Sequence, residues 1–352
     1  MTNPTAAALA ASPRWFPHLL DPVHDRLLLV DKDEEEYRAA SFLDDRSLRQ
    51  DRARHIAEWR DVAAALAGPP RRDAHYIFHI GHVGSTLVSR LLGELPGILA
   101  LREPAILRTL ADLLGEENRP ESVWSPDDVS ERLDTLTALL SRTYRPEQRV
   151  TIKATSFVSD FAARLVPEGS KALLLYSRPE RYIETILAGD NSRQEMRMSG
   201  GERLRRLHRR TGEPRWRRWE LGEGDLVGMA WATEMTALLA AAEDLPAGAT
   251  MWLEFDDFLA EPAMWLERIT GFLGETLSPL DAEKLAASPL MRRYSKAPEY
   301  EYGPELRRQL LQQARREQGA ARGEALRWVE AAGGAVPQIG RCLQLAAGST
   351  DA

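Results

Sequence analysis

The segment from Tyr76 to Leu92 constrains this chain more than any other. An apolar, aromatic run, Tyr76-Ile77-Phe78-His79-Ile80, meets a short glycine loop, Gly81-His82-Val83-Gly84, which opens at Ser85-Thr86 into an amphipathic stretch. That order reads as strand, tight turn, helix. Gly81 and Gly84 let the backbone turn and approach a ligand without interference from a Cβ. The first amides of a new helix have no intrahelical acceptor, and together with the helix dipole they favour an anion, typically a phosphate. Ser85 and Thr86 add hydroxyl donors beside them. A junction of this kind also opens many α/β domains that bind nothing at the turn. The phosphate loop of ATP- and GTP-using enzymes carries a Lys before its Ser/Thr, and here Gly84 holds that position.

Short buried runs alternate with helical ones along the rest of the chain. Strands are expected at 75–80, 98–101, 149–154, 171–176 and 250–255, with helical segments after each. This pattern predicts an α/β fold: a three-layer α/β/α arrangement around a central, mostly parallel sheet, with helical insertions. Residues 1–70 read as an N-terminal appendage whose first 15 or so residues are disordered. Within it, 48–66 has helical spacing before Gly68-Pro69-Pro70 breaks it. The main domain is expected over 71–300, with a basic helical insertion at 192–220, and a charged helical tail over 301–352.

Composition excludes several classes. A single cysteine, Cys342, rules out an internal disulfide framework and a Cys-based zinc site. The net charge of −7 argues against bulk attraction to nucleic acid or to an anionic membrane. No window approaches the roughly 18 apolar residues of a membrane helix, and the first residues lack the basic and apolar regions of a secretory signal. A cytoplasmic location is expected. His75, His79 and His82 suggest a metal site, but no carboxylate or Cys stands at ligand spacing beside them, so no metal is expected. His79 reads as a core residue of its strand.

In a parallel sheet, ligands gather at the carboxyl ends of strands. Four such ends are chemically coherent: Gly81–Thr86 offers amides and hydroxyls, Glu103 a carboxylate, Lys153 a cation with Thr155 and Ser156 beyond it, and Arg178 a second cation. An anion site beside a carboxylate suits transfer of a charged group to a hydroxyl or amine, the cations neutralising the leaving group and the carboxylate taking the acceptor's proton. Glu103 is the candidate general base; alternatively it is a helix-end carboxylate beside Pro104 that serves the dipole. Lys153 is alternatively a solvated rim charge.

The chain resembles the sulfotransferase family, P-loop-fold enzymes that use 3′-phosphoadenosine-5′-phosphosulfate (PAPS). Three segments carry the resemblance in order across roughly 76–274. These are Gly81-His82-Val83-Gly84-Ser85-Thr86-Leu87, then Leu173 to Thr185 through Ser177-Arg178-Pro179, then Trp231 and Trp252 to Gly274. The resemblance implies that Gly81, His82, Val83, Gly84, Ser85 and Thr86 hold the 5′-phosphosulfate. It further implies that Arg178 and Thr185 hold the 3′-phosphate. Arg292-Arg293-Tyr294-Ser295-Lys296 is similar to the family's late basic contact, which makes Lys296 a further candidate. The sequence departs from the family at three positions. His82 stands where the loop usually has Lys or Arg, Arg178 stands one residue before Pro179 rather than two, and Thr185 replaces a Ser. Either His82 or Lys153, which would supply the loop's missing permanent charge, is expected to stabilise the leaving oxygen.

The expected activity is sulfuryl transfer from PAPS to a small-molecule, carbohydrate or peptide acceptor, without metal and without a nucleic-acid or membrane partner. Two alternatives stay open: an ATP-dependent phosphotransferase on the same scaffold, and a non-catalytic nucleotide-binding or interaction protein. The run from Arg193 to Arg218 contains ten arginines. It reads equally as a solvated helix face and as a lid over the site, with nucleic-acid contact the weakest of the three readings.

Overall fold

The computed structural model describes residues 5–66, 70–293 and 301–348. Lys296, with the rest of its basic segment beyond Arg293, lies outside them, as do Gly68 and Pro69. A five-stranded sheet of order β5-β6-β4-β7-β8 forms the centre. It consists of β4 (His75–His79), β5 (Ile98–Arg102), β6 (Arg149–Lys153), β7 (Ala172–Tyr176) and β8 (Thr250–Glu254), and every pairing is parallel. Every residue of β4, β5 and β7 is buried, which is why these strands read as continuous apolar runs rather than alternating ones. Helix Ser85–Leu92 lies against β4, β5 and β6, and helix Glu223–Asp244 contacts β4 as well. The chain leaves β4 toward β6 and β5 on one side and later returns to β7 and β8 on the other. That reversal opens a crevice at the carboxyl end of β4. The order is that of the P-loop-type three-layer α/β fold.

The N-terminal region differs from its sequence reading in two places. A short helix, Ala6–Ala11, capped by the Thr5 side chain, occupies the stretch expected to be disordered, and Leu9 is buried. Residues 48–66 are not one helix. Arg54–Glu58 forms β3, and helix Trp59–Ala65 follows. With β1 (Trp15–Asp21) and β2 (Arg26–Asp31), β3 makes a three-stranded antiparallel sheet of order β1-β2-β3. The free edge of β2 supplies the reason: Leu28 pairs with Ile56, and Arg26 with Glu58, whose side chains form a 2.9 Å ion pair. Cross-strand partners of this kind override local periodicity.

Buried Arg102 fastens the helix between β2 and β3, Glu34–Ala39, to the main domain. Its guanidinium donates to the carbonyls of Ala40 (2.6 Å) and Arg38 (2.9 Å) and to that of Tyr37. Leu43 then runs along the edge of β5, its amide donating to the Arg102 carbonyl at 2.7 Å. An otherwise open sheet edge is thereby covered, and Phe42 and Arg46 are carried to the carboxyl ends of the central strands.

The basic insertion expected to be helical over 192–220 is α-helical only over Asp190–Thr211: Gly212 ends the helix at φ +70°, and Arg215, Arg217 and Arg218 lie beyond it. Arg203, Arg206 and Arg210 turn inward from it. Arg206 is held by Asp160 (2.7 Å) and by fully buried Glu234 (2.8 Å), Arg203 reaches Glu234 at 3.4 Å, and Arg210 also meets Asp160. The C-terminal helices Pro304–Glu317, Gly319–Ala335 and Pro337–Ala346 pack back on the domain. A Cβ on Gly224 would come 2.2 Å from the Ala321 carbonyl, so glycine is what lets helix Glu223–Asp244 approach helix Gly319–Ala335 this closely. Cys342 is buried in that packing, which pushes its thiol up to about 12 and leaves it inert. No helix among the described residues is long and apolar enough to cross a membrane.

Candidate active site

A cavity of about 650 Å³ opens at the carboxyl end of β4. Gly81 through Thr86 form one wall, and Glu103, Lys153 and Thr185 line it too. Arg178 does not. It is exposed at the end of β7, where its Nε donates to the Ala346 carbonyl (3.2 Å) and its terminal nitrogen pairs with Asp257 (3.3 Å). The family position one residue earlier is buried Ser177, whose carbonyl accepts from the Trp231 indole at 3.0 Å. Neither residue faces the cavity.

The loop is a concave run of backbone. Gly81 (φ +79°), His82 (+53°) and Gly84 (+67°) are all left-handed, so the backbone turns tightly before the helix begins. Glycine is required at 84 on two grounds. Its φ is unfavourable for other residues, and a Cβ would lie 1.9 Å from the ring of Phe255, which is seated directly on the loop. The Nδ1 of His79 accepts the Gly81 amide at 3.0 Å, so a neutral ring carries its proton on Nε2. His79 therefore shapes the loop and lines the cavity; its strand position in the sequence suggested only core packing. Thr86 is 3% exposed and lines the cavity, and its hydroxyl has no hydrogen-bond partner among the described residues. A buried hydroxyl with no partner among the described residues, at the start of a helix, suits an anionic group as the missing partner.

Glu103 and Lys153 face this wall as an ion pair. In-register pairing of β5 and β6 sets Arg102 opposite Lys153, so the next residue, Glu103, follows directly, its amide donating to the Lys153 carbonyl at 2.7 Å. Lys153 is 1% exposed, so it is not a rim charge. Glu103 sits at φ +48°, a costly conformation for a residue with a Cβ. Its side chain does not cap the helix that follows, Ala105–Glu116, which has no side-chain cap. The carboxylate is instead delivered to the ammonium at the cavity wall.

His82 is tied to the arginine helix: its Nε2 lies 3.2 Å from Glu195, which also binds Arg203 at 3.1 Å. The hydrogen bond and charge of His82, followed by Arg203, pull the Glu195 carboxyl down to about 2. A carboxylate favoured in the folded chain adds stability that is complete above its ordinary value of 4.5 and is lost as pH falls toward about 2. The stability gap between the wild type and Glu195→Gln, read from thermal melts, is therefore expected to shrink as pH falls from about 4.5 and to close near pH ~2. A gap that persists unchanged at pH ~2 would show that the Glu195 charge contributes nothing. The third histidine, His75, is fully engaged elsewhere: its Nδ1 accepts the Lys171 amide (3.0 Å), its Nε2 reaches the Leu273 carbonyl (3.0 Å), and burial holds it down to about 4. The three histidines do not converge.

Among solved structures, the chain is similar to a sulfotransferase domain from the curacin biosynthetic pathway, at 14% identity over 74% of this chain and 97% of that one, with a TM-score of 0.43. It is also similar to the sulfotransferase domain of the Synechococcus PCC 7002 olefin synthase (16% identity, 74% and 94% covered, TM-score 0.40). A sulfotransferase from Alicyclobacillus acidocaldarius matches at 17% identity, with 73% and 95% covered and a TM-score of 0.36. All three are sulfotransferases. The likeness is distant and concerns the fold; the chemistry of this chain has to be read from its own cavity. No protein-family model matches the sequence, and comparison with curated proteins finds no match.

Proposed function

We propose that this chain transfers a sulfuryl group from PAPS to a hydroxyl or amine of an acceptor. The observation that carries the reading is the Glu103–Lys153 pair facing a left-handed amide loop that holds Thr86's unpartnered hydroxyl. PAPS, when bound, supplies the sulfuryl group and leaves as 3′-phosphoadenosine-5′-phosphate (PAP). The amides of Gly84, Ser85 and Thr86, with the Thr86 hydroxyl, would hold its 5′ end at the positive end of helix Ser85–Leu92. Lys153, shielded from water, places a fixed charge where negative charge develops and has no solvent shell to reorganise. Glu103, paired with that same ammonium, is placed to accept the proton that the acceptor gives up. Phe42, Arg46, Arg108 and Phe157 line the cavity as well, and these aromatic and cationic side chains would receive the acceptor. An ATP-using loop needs a Lys at position 84, and the Phe255 ring occupies the space its side chain would take.

Titration calorimetry with PAP and, separately, with ATP and Mg²⁺ tests the proposal. PAP is expected to bind in the micromolar range with no response to ATP. Binding of ATP without PAP would assign the cavity to phosphoryl transfer, and silence from both ligands would overturn the cofactor reading.

A further inference from the structure

We infer that Arg307, on the C-terminal helix Pro304–Glu317, holds the 3′-phosphate of the cofactor; this rests on the PAPS reading above. PAPS carries two separated anionic ends, and the loop can take only one. Arg178, the residue the sequence suggests for the other, faces away from the cavity. Arg307 lines it. Its guanidinium lies 5.6 Å from the centroid of the Phe255 ring, the same ring that rests on Gly84. One aromatic ring therefore separates this cation from the 5′ cradle. Thr185 lines the cavity from helix Pro179–Leu187, against which helix Pro304–Glu317 packs.

The charge balance at this corner favours a dianion. Asp256 binds Arg307 at 2.6 Å and Arg181 at 2.6 Å. Fully buried Glu184 binds Arg315 (2.6 Å), Arg322 (3.0 Å) and Arg181 (3.4 Å). In this connected cluster four guanidiniums meet two carboxylates, an excess of two positive charges; Arg307 is its member at the cavity wall, where Arg293 and Glu301 also stand with opposite charges. Gly303 and Pro304, at the start of the Arg307 helix, also line the cavity, so the positive end of that helix adds to the same field. A 3′-phosphate matches this excess; a neutral ribose hydroxyl does not.

The test compares PAP with adenosine 5′-phosphate, which lacks the 3′-phosphate, in the wild type, Arg307→Gln, Arg307→Lys and Arg178→Ala. Arg307→Gln is expected to weaken PAP about 10–100-fold and adenosine 5′-phosphate by less than about threefold. Arg307→Lys, which keeps the charge and the Asp256 pair, should recover most of the loss and shows that folding is not the cause. Arg178→Ala should bind both ligands as the wild type does. If wild type binds PAP and Arg307→Gln weakens both ligands equally, or neither, this inference is wrong while the PAPS reading stands. If wild type binds adenosine 5′-phosphate as tightly as PAP, no group of the protein reads the 3′-phosphate and the inference also fails. If wild type binds no PAP, both fall.

Discussion

Glu103→Gln is expected to lower turnover by about 10²–10⁴-fold while leaving PAP affinity within about threefold of wild type. The variant keeps the size and shape of the side chain and removes only its ability to take a proton. Because the substitution leaves the loop from Gly81 to Thr86 untouched, cofactor binding has little reason to change. Turnover is read as PAP released from PAPS with a panel of phenols, alcohols and primary amines. Lys153→Met should also be slow, and the double variant little slower than either single one, since each group acts on the same transferred charge through the other. Structural and catalytic roles separate in the binding data: loss of a base at position 103 lowers turnover with PAP affinity kept, whereas loss of a merely structural pair would lower both. Turnover by Glu103→Gln within about threefold of wild type would remove Glu103 from the chemistry.

What could be read from the sequence follows how local each feature is. The loop from Gly81 to Thr86 was visible because strand, turn and helix are adjacent in the chain, and the demands of a tight turn are written in neighbouring residues. Glu103 and Lys153 were visible as strand ends, since parallel strands share one edge for their carboxyl termini. That they form an ion pair depends on register, which composition does not carry. β3 was hidden because Arg54–Glu58 carries only two apolar residues, and what makes it a strand is its pairing with β2, a contact distant in sequence. Arg178 was a misleading signal: a charge after a buried run suggests function, but here it meets Asp257 and the end of helix Pro337–Ala346, partners far away in sequence. Arg307 gave no signal, standing among many charges on a helix that reads as a solvated tail.

The arginine helix supplies the second large effect. Glu234→Gln is expected to cost about 3–5 kcal/mol of stability, read as a lower denaturant midpoint with an unchanged slope. Glu234 is 1% exposed and binds both Arg203 and Arg206, themselves almost fully buried. Removing its charge leaves Arg203, Arg206 and Arg210 with only Asp160 and partly exposed Glu195 to balance them. A neutral amide of the same shape cannot offset a guanidinium that water cannot reach. The comparison is Arg205→Ala on the same helix, where the side chain is 79% exposed and pairs with Glu202; there the change should be under about 0.5 kcal/mol. Equal effects of the two substitutions would mean that the run is a solvated face after all. A large difference would show that its inward arginines are core groups, and it would have a second consequence at the site. Arg203 is the link between Glu234 and Glu195, and Glu195 holds His82 in the loop. Loss of the buried charge is then expected to loosen the cradle as well as the fold, so PAP affinity of Glu234→Gln should fall under conditions where the variant is still folded.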